Sequence, residues 1–118
     1  MKKFMAIYLG SPAARSKWDK QSEAERKERQ AAGMKAWADW MAKHSASIVE
    51  SGGPLGKTKR ADTKGVSDVR NDMAAYVVVQ AETQEAAAKM FVNHPHFTIF
   101  PGEAVEIMEC LTIPAAGR

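Results

Sequence analysis

The chain has 118 residues, 45% apolar and 26% charged, with a formal net charge of +3. That balance excludes disorder and collagen-like composition, and the length suits one domain with one modest core. Basic and acidic residues alternate along most of the chain, which excludes the dense basic stripe of a nucleic-acid surface.

Taken in order, Met1-Lys2-Lys3 leads into Phe4-Met5-Ala6-Ile7-Tyr8-Leu9, apolar on both faces and therefore a strand covered on both sides. The run is too short for a secretory core, and Gly10-Ser11-Pro12 ends it. No segment approaches the ~18 apolar residues of a membrane span. Residues 10–20 read as a polar connection that carries Trp18. Ser22 with Glu25 forms the Ser-x-x-Glu pattern of a helix start. The helix is expected from Glu23 to about Ser51, with Glu23/Lys27 and Glu25/Arg29 on its outer surface. Met34, Trp37, Met41, His44 or Ser45, and Ile48 form its inner stripe, and Gly52-Gly53-Pro54 is expected to stop it.

Residues 55–61 read as a weak polar strand. Asp62-Thr63-Lys64-Gly65 has turn chemistry, and Val66-Ser67-Asp68 returns along an edge. Lys57, Lys59, Arg60 and Lys64 gather here without an aromatic residue on which bases could stack, so they read as a solvated strand edge. Residues 73–79 are rich in β-branched side chains and belong near the sheet centre. Thr83 caps a second helix over Gln84 to Asn93, with Ala87, Met90 and Phe91 facing inward. Residues 104–113 form the last strand. The domain is thus 1–113, with residues 114–118 as a tail.

Strand, helix, strand, strand, helix, strand is the order of an α+β ferredoxin-like fold, a split β-α-β (βαββαβ) sheet with two helices on one face. The other face is left bare although its strands are apolar there. A second copy of the chain, giving a homodimer, is the expected cover.

Lys3-Phe4-Met5-Ala6-Ile7-Tyr8, Val49-Glu50-Ser51-Gly52-Gly53-Pro54-Leu55, Glu82-Thr83-Gln84-Glu85-Ala86-Ala87 and Val105-Glu106-Ile107-Met108-Glu109 resemble the YCII-related domain family over nearly the whole chain. The resemblance implies a ferredoxin-like fold that pairs into a dimeric α+β barrel. It also implies a pocket in which a helix histidine is paired with the aspartate of an Asp-Pro step. Here the step is His94-Pro95, and the helix position falls near Ala36 or Trp37, so no catalytic role carries over.

Asn93-His94-Pro95-His96-Phe97-Thr98-Ile99-Phe100-Pro101-Gly102 holds two of the three histidines. Pro95 stops the second helix, and the loop is expected to line a pocket mouth with His94 or His96 meeting a ligand. Its imidazoles are expected to be reachable by solvent, while Phe97, Ile99 and Phe100 pack on the long helix or the partner. A metal site is not expected, because His-x-His has no third ligand at a marked spacing. An imidazole does suit acid/base work near neutral pH, with Glu109 on the last strand as a candidate companion. Tyr8, Trp18, Trp40, His44, His94, His96 and Phe97 are the expected pocket residues, and His94, His96 and Glu109 the catalytic candidates.

Trp37, Trp40 and Met41 read as core in preference to a cofactor box. Cys110, the only cysteine, permits no internal disulfide, suits a reducing cytosol and reads as inert packing. No glycine-rich phosphate loop follows a strand, so no nucleotide cofactor is expected, and none of another kind. Two function classes stand: an acid/base enzyme on a small organic molecule, without metal or nucleotide, or a non-catalytic ligand-binding or protein-interaction module.

Overall fold

The computed structural model describes residues 1–114; residues 115–118, most of the expected tail, lie outside the described residues. The elements are β1 (Lys2–Gly10), α1 (Pro12–Asp19), α2 (Glu23–Lys43), a 3-10 turn (Ser45–Ser47), β2 (Ile48–Pro54), β3 (Thr58–Asp62), β4 (Gly65–Val69), β5 (Met73–Ala81), α3 (Gln84–Lys89), α4 (Pro95–Thr98) and β6 (Gly102–Glu109). The four main strands are ordered β2-β5-β1-β6, with every neighbouring pair antiparallel. This is the ferredoxin-like arrangement: the crossover from β1 to β2 leaves a place that β5 later fills, and the crossover from β5 to β6 passes over β1.

β1 and β5 occupy the centre, as their two-sided apolar sequences require. Phe4, Ala6, Tyr8, Val77, Val79 and Ala81 point to one face. Together with Trp40 of α2 and with Ala87 of α3 and the adjoining Phe91, they form the buried core. Burying each such aromatic or branched side chain contributes about 1.5–3 kcal/mol. On the opposite face Met5, Ile7 and Leu9 are only half-buried and Met108 is exposed. The molecule is two layers deep, 19 Å in its shortest extent. Its radius of gyration, 16.7 Å, exceeds the about 13.5 Å typical of a compact domain of this length.

Several expectations are corrected. α2 ends at Lys43, not near Ser51, because Ile48 and the residues after it pair with β5: Ile48 lies opposite Val79 and Gly53 opposite Tyr76. Propensity cannot foresee that long-range competition. Gly52-Gly53-Pro54 is therefore the irregular end of an edge strand and not a helix stop. Gly52 has φ +63, and a Cβ there would fall on the Tyr76 carbonyl. The main-sheet edge expected at 55–61 is replaced by a separate β3–β4 hairpin, in which Lys59 pairs with Asp68 at 2.5 Å.

Residues 12–19 form α1 in what was read as a connection. Ser11 accepts the Ala14 N–H and Pro12 starts the helix with φ already fixed. α3 stops at Lys89, short of Asn93, and the chain turns at Asn93 with φ 62, which asparagine tolerates. β6 covers Gly102–Glu109, so it starts earlier and ends earlier than expected.

Candidate functional site

α4 is a single turn that the histidine segment builds for itself. His94 stands at its N-cap, Pro95 occupies the first helical position, and the His94 Nδ1 accepts the backbone N–H of His96 at 2.9 Å. The Thr98 hydroxyl donates to the His94 carbonyl at 3.1 Å. The turn is tied to α2, where the Arg29 guanidinium donates to the carbonyls of Thr98 and Ile99. Gly33 of α2 leaves room for Phe100 and Ile99, since a Cβ there would overlap the Phe100 ring.

Both imidazoles are buried, His94 completely and His96 to 6% exposure. The expectation of solvent-reachable histidines is thus overturned: a short turn clamped to α2 carries them inward, where a free loop would have left them wet. His94 sits in an aromatic box, with ring centroids 4.6 Å from Trp37, 4.7 Å from Trp40 and 5.0 Å from Tyr8. The His94 Nε2 lies 3.2 Å from the Tyr8 hydroxyl. His96 Nε2 donates to the Leu9 carbonyl at 2.7 Å. A Cβ at Gly102 would overlap the His96 ring, so this glycine is what lets β6 pass so closely.

Burial holds His94 down to about pKa 3, helped by its neighbours His96 and His44, and His94 is therefore neutral across the physiological range. Burial also lowers His96, against the opposing pull of its bond to Leu9. The Tyr8 phenol is raised by burial and stays protonated.

Each neutral imidazole carries one proton, which fixes the roles. His94 Nδ1 is an acceptor, so its proton is on Nε2 and is donated to Tyr8 Oη. His96 has its proton on Nε2, so its Nδ1 is a bare acceptor. Among the described residues the only buried side-chain polar atom without a partner is Gln21 Oε1; His96 Nδ1 is not bonded within the protein and so faces open space.

His96 lines a cleft of about 520 Å³ between α2 and the sheet, together with Tyr8, Trp37 and Phe100, with Met34 and Met41 on the helix side. Among its lining residues none carries a charged side chain. His96 and Phe100 also form a wall of a wider, polar cleft of about 1050 Å³ on the α1 side.

Of the residues expected to share a pocket, Tyr8, Trp40, His94 and His96 do come together, but only Tyr8 and His96 line the α2–sheet cleft. Trp40 is buried, and its indole donates to the Met90 carbonyl at 2.8 Å. His44 lies behind it, ring centroids 4.8 Å apart. Trp18 packs near Phe100 at 6.2 Å, and Phe97 edges against His96 at 6.5 Å.

Glu109 lies apart. It is exposed opposite Phe4, four residues along β1 from Tyr8, or about 13 Å at strand rise. Trp37 was read only as core, while Phe100 and Gly102 were absent from the expected pocket. One sequence signal pointed to Trp37: it shares an apolar stripe with Met34, which remains 64% exposed at the mouth. Among the described residues no cluster of three or more His, Cys, Asp or Glu side chains could hold a metal ion. No helix among them is long and apolar enough to cross a membrane.

No protein-family model matches this chain, and neither does any curated protein. Among solved structures, the chain is similar to 5-chloro-2-hydroxyhydroquinone dehydrochlorinase from Burkholderia phenoliruptrix AC1100 in complex with 2,5-dihydroxybenzoquinone. The identity is 18%, the TM-score 0.51, and each chain is covered over 90% of its length. At that identity the likeness is one of fold, and it places this chain among ferredoxin-like α+β structures.

Proposed function

We propose that the chain is a small-molecule-binding module of the YCII-related kind that performs acid/base chemistry on a small organic substrate in the α2–sheet cleft. One observation carries this reading: His96, a buried imidazole whose Nδ1 acceptor is unoccupied, lines an aromatic cleft of ligand size. Concave apolar pockets with a few placed polar groups are the usual form of small-molecule sites. Proton abstraction from carbon or oxygen requires an unprotonated base, and burial favours that form of the His96 imidazole.

His96 takes the proton, Tyr8 faces the substrate as a neutral donor, and Trp37 and Phe100 supply flat apolar walls. The structural neighbour supports the substrate scale, since it is a dehydrochlorinase of a hydroxylated ring seen with a dihydroxybenzoquinone. Loss of hydrogen and chloride is itself a reaction that needs a base. Glu109 plays no part in this reading, because it lies away from the cleft.

The module works as a homodimer in which the bare sheet face, with Met5, Ile7, Leu9 and Met108, is covered by a second copy. A cytosolic location is in keeping with a single free thiol, Cys110.

Screening small uncharged aromatic molecules by quenching of tryptophan fluorescence tests the proposal, because Trp37 lines the cleft. Micromolar binders are expected, with binding weakened at least tenfold in Trp37→Ala. Ligands that bind equally well to that variant would place the site elsewhere. Proton-transfer turnover that survives in a folded His96→Asn variant would show that His96 is not the base, whereas binding without any turnover in the parent would favour the second reading, a cleft that binds without catalysis.

A further inference from the structure

The hydrogen-bond roles around Tyr8 define what the cleft accepts, a step that rests on the cleft being the ligand site. His94 Nδ1 is occupied by the His96 backbone N–H at 2.9 Å. A proton on Nδ1 would set two donors against each other, so the His94 proton is on Nε2 and points to Tyr8 Oη, 3.2 Å away. The Tyr8 oxygen is therefore an acceptor in that bond, and its own hydroxyl hydrogen remains to be donated. Among the described residues no second group lies within hydrogen-bond distance of that hydroxyl. Tyr8 lines the cleft, and that is where the hydrogen can find an acceptor. His96 shows the complementary arrangement: Nε2–H is spent on Leu9 and Nδ1 is left to accept. The two rings have centroids 5.1 Å apart, close enough for one small molecule to meet both.

We infer that the cleft recognises an uncharged molecule that carries a hydrogen-bond acceptor next to a donor, the acceptor bound by the Tyr8 hydroxyl and the donor by His96 Nδ1. An apolar body suits the wall formed by Trp37 and Phe100, which meet edge-on with centroids 6.0 Å apart. Neutrality follows from the lining. An anion entering here would lose its hydration and meet no cation, since no Lys or Arg lines the cleft and burial favours the neutral form of His96. Adjacent enol and carbonyl groups, or the N–H and C=O edge of a lactam, have this pattern; carboxylates do not.

Titration calorimetry with three probes decides the matter on the unmodified chain: quinolin-2-one, its N-methyl derivative, which keeps the carbonyl but lacks the donor, and 2-naphthoate. Quinolin-2-one is expected to bind about tenfold tighter than the N-methyl compound, the usual worth of one such bond, and 2-naphthoate weakest of all. Folded Tyr8→Phe should weaken both lactams about tenfold, whereas folded His96→Asn should weaken only quinolin-2-one. Equal binding of the two lactams, or 2-naphthoate binding as tightly as either, overturns the inference while leaving the cleft as a ligand site. If none of the three quenches Trp37 fluorescence or releases heat, the cleft reading itself falls, and this inference with it.

Discussion

Tyr8 Oη and His94 Nε2 stand 3.2 Å apart in the buried layer between β1 and α4, joining residues 86 positions apart in the chain. Replacing Tyr8 by Phe leaves a buried imidazole N–H without a partner, at a cost of about 1–3 kcal/mol. A lowered denaturant midpoint with an unchanged m-value is expected. An unshifted midpoint would show that the bond contributes nothing in solution.

The double variant His94→Ala, His96→Ala is expected to be strongly destabilised, by about 2–5 kcal/mol, as in other large-to-small replacements in packed cores. From the sequence these side chains were expected to be solvent-reachable and replaceable at little cost. Their burial against Tyr8, Trp37 and Trp40 reverses that expectation. Thermal melts of the single and double variants measure it, and a double variant as stable as the parent would count against the burial.

Stability should fall on acidification because of His94. In the folded chain burial holds its pKa at about 3, against an ordinary value of 6.5. Between those limits the unfolded chain binds the extra proton, so this contribution is complete above about pH 6.5. It declines by about 1.4 kcal/mol per pH unit as the pH drops toward 3. His96, also lowered by burial, acts in the same direction. Urea midpoints measured between pH 7.5 and 4.5 should decline steadily, with a shallower slope in His94→Phe; parallel slopes would assign the acid sensitivity to other groups.

Two glycines separate backbone constraint from site packing. Gly52→Ala places a side chain at φ +63 and against the Tyr76 carbonyl, so it should cost at least about 1 kcal/mol and loosen the β2 edge. Gly102→Ala presses on His96 and should cost about 1–3 kcal/mol while also reducing ligand affinity. Chemical denaturation and calorimetry read the two effects; a Gly102→Ala protein with parental affinity would show that His96 does not set the ligand's position.

Light scattering behind size exclusion should give the mass of two chains, and Ile7→Lys, on the bare sheet face, should give one. A stable parental monomer at micromolar concentration would contradict the expected dimer.

Local chemistry in the sequence determined much of the framework. Two-sided apolar strands at residues 4–9 and 73–79 had to lie at the sheet centre, because no edge covers both their faces. Ser22 with Glu25 and Thr83 started helices where their side chains satisfy free N–H groups. Those signals act over a few residues and can be read in one dimension. The end of α2 could not be read in this way, since Ile48 leaves the helix only because Val79, 31 positions later, offers strand pairing. Nor could the state of the histidines. Pro95 marked the break, but burial came from Arg29 and Gly33, far off in the chain, and from the close approach of Gly102, whose roles exist only once the chain is folded. The sequence supplied the imidazoles and the aromatic rings; tertiary packing determined which nitrogen is left to accept, because a tautomer is fixed by its neighbours in space.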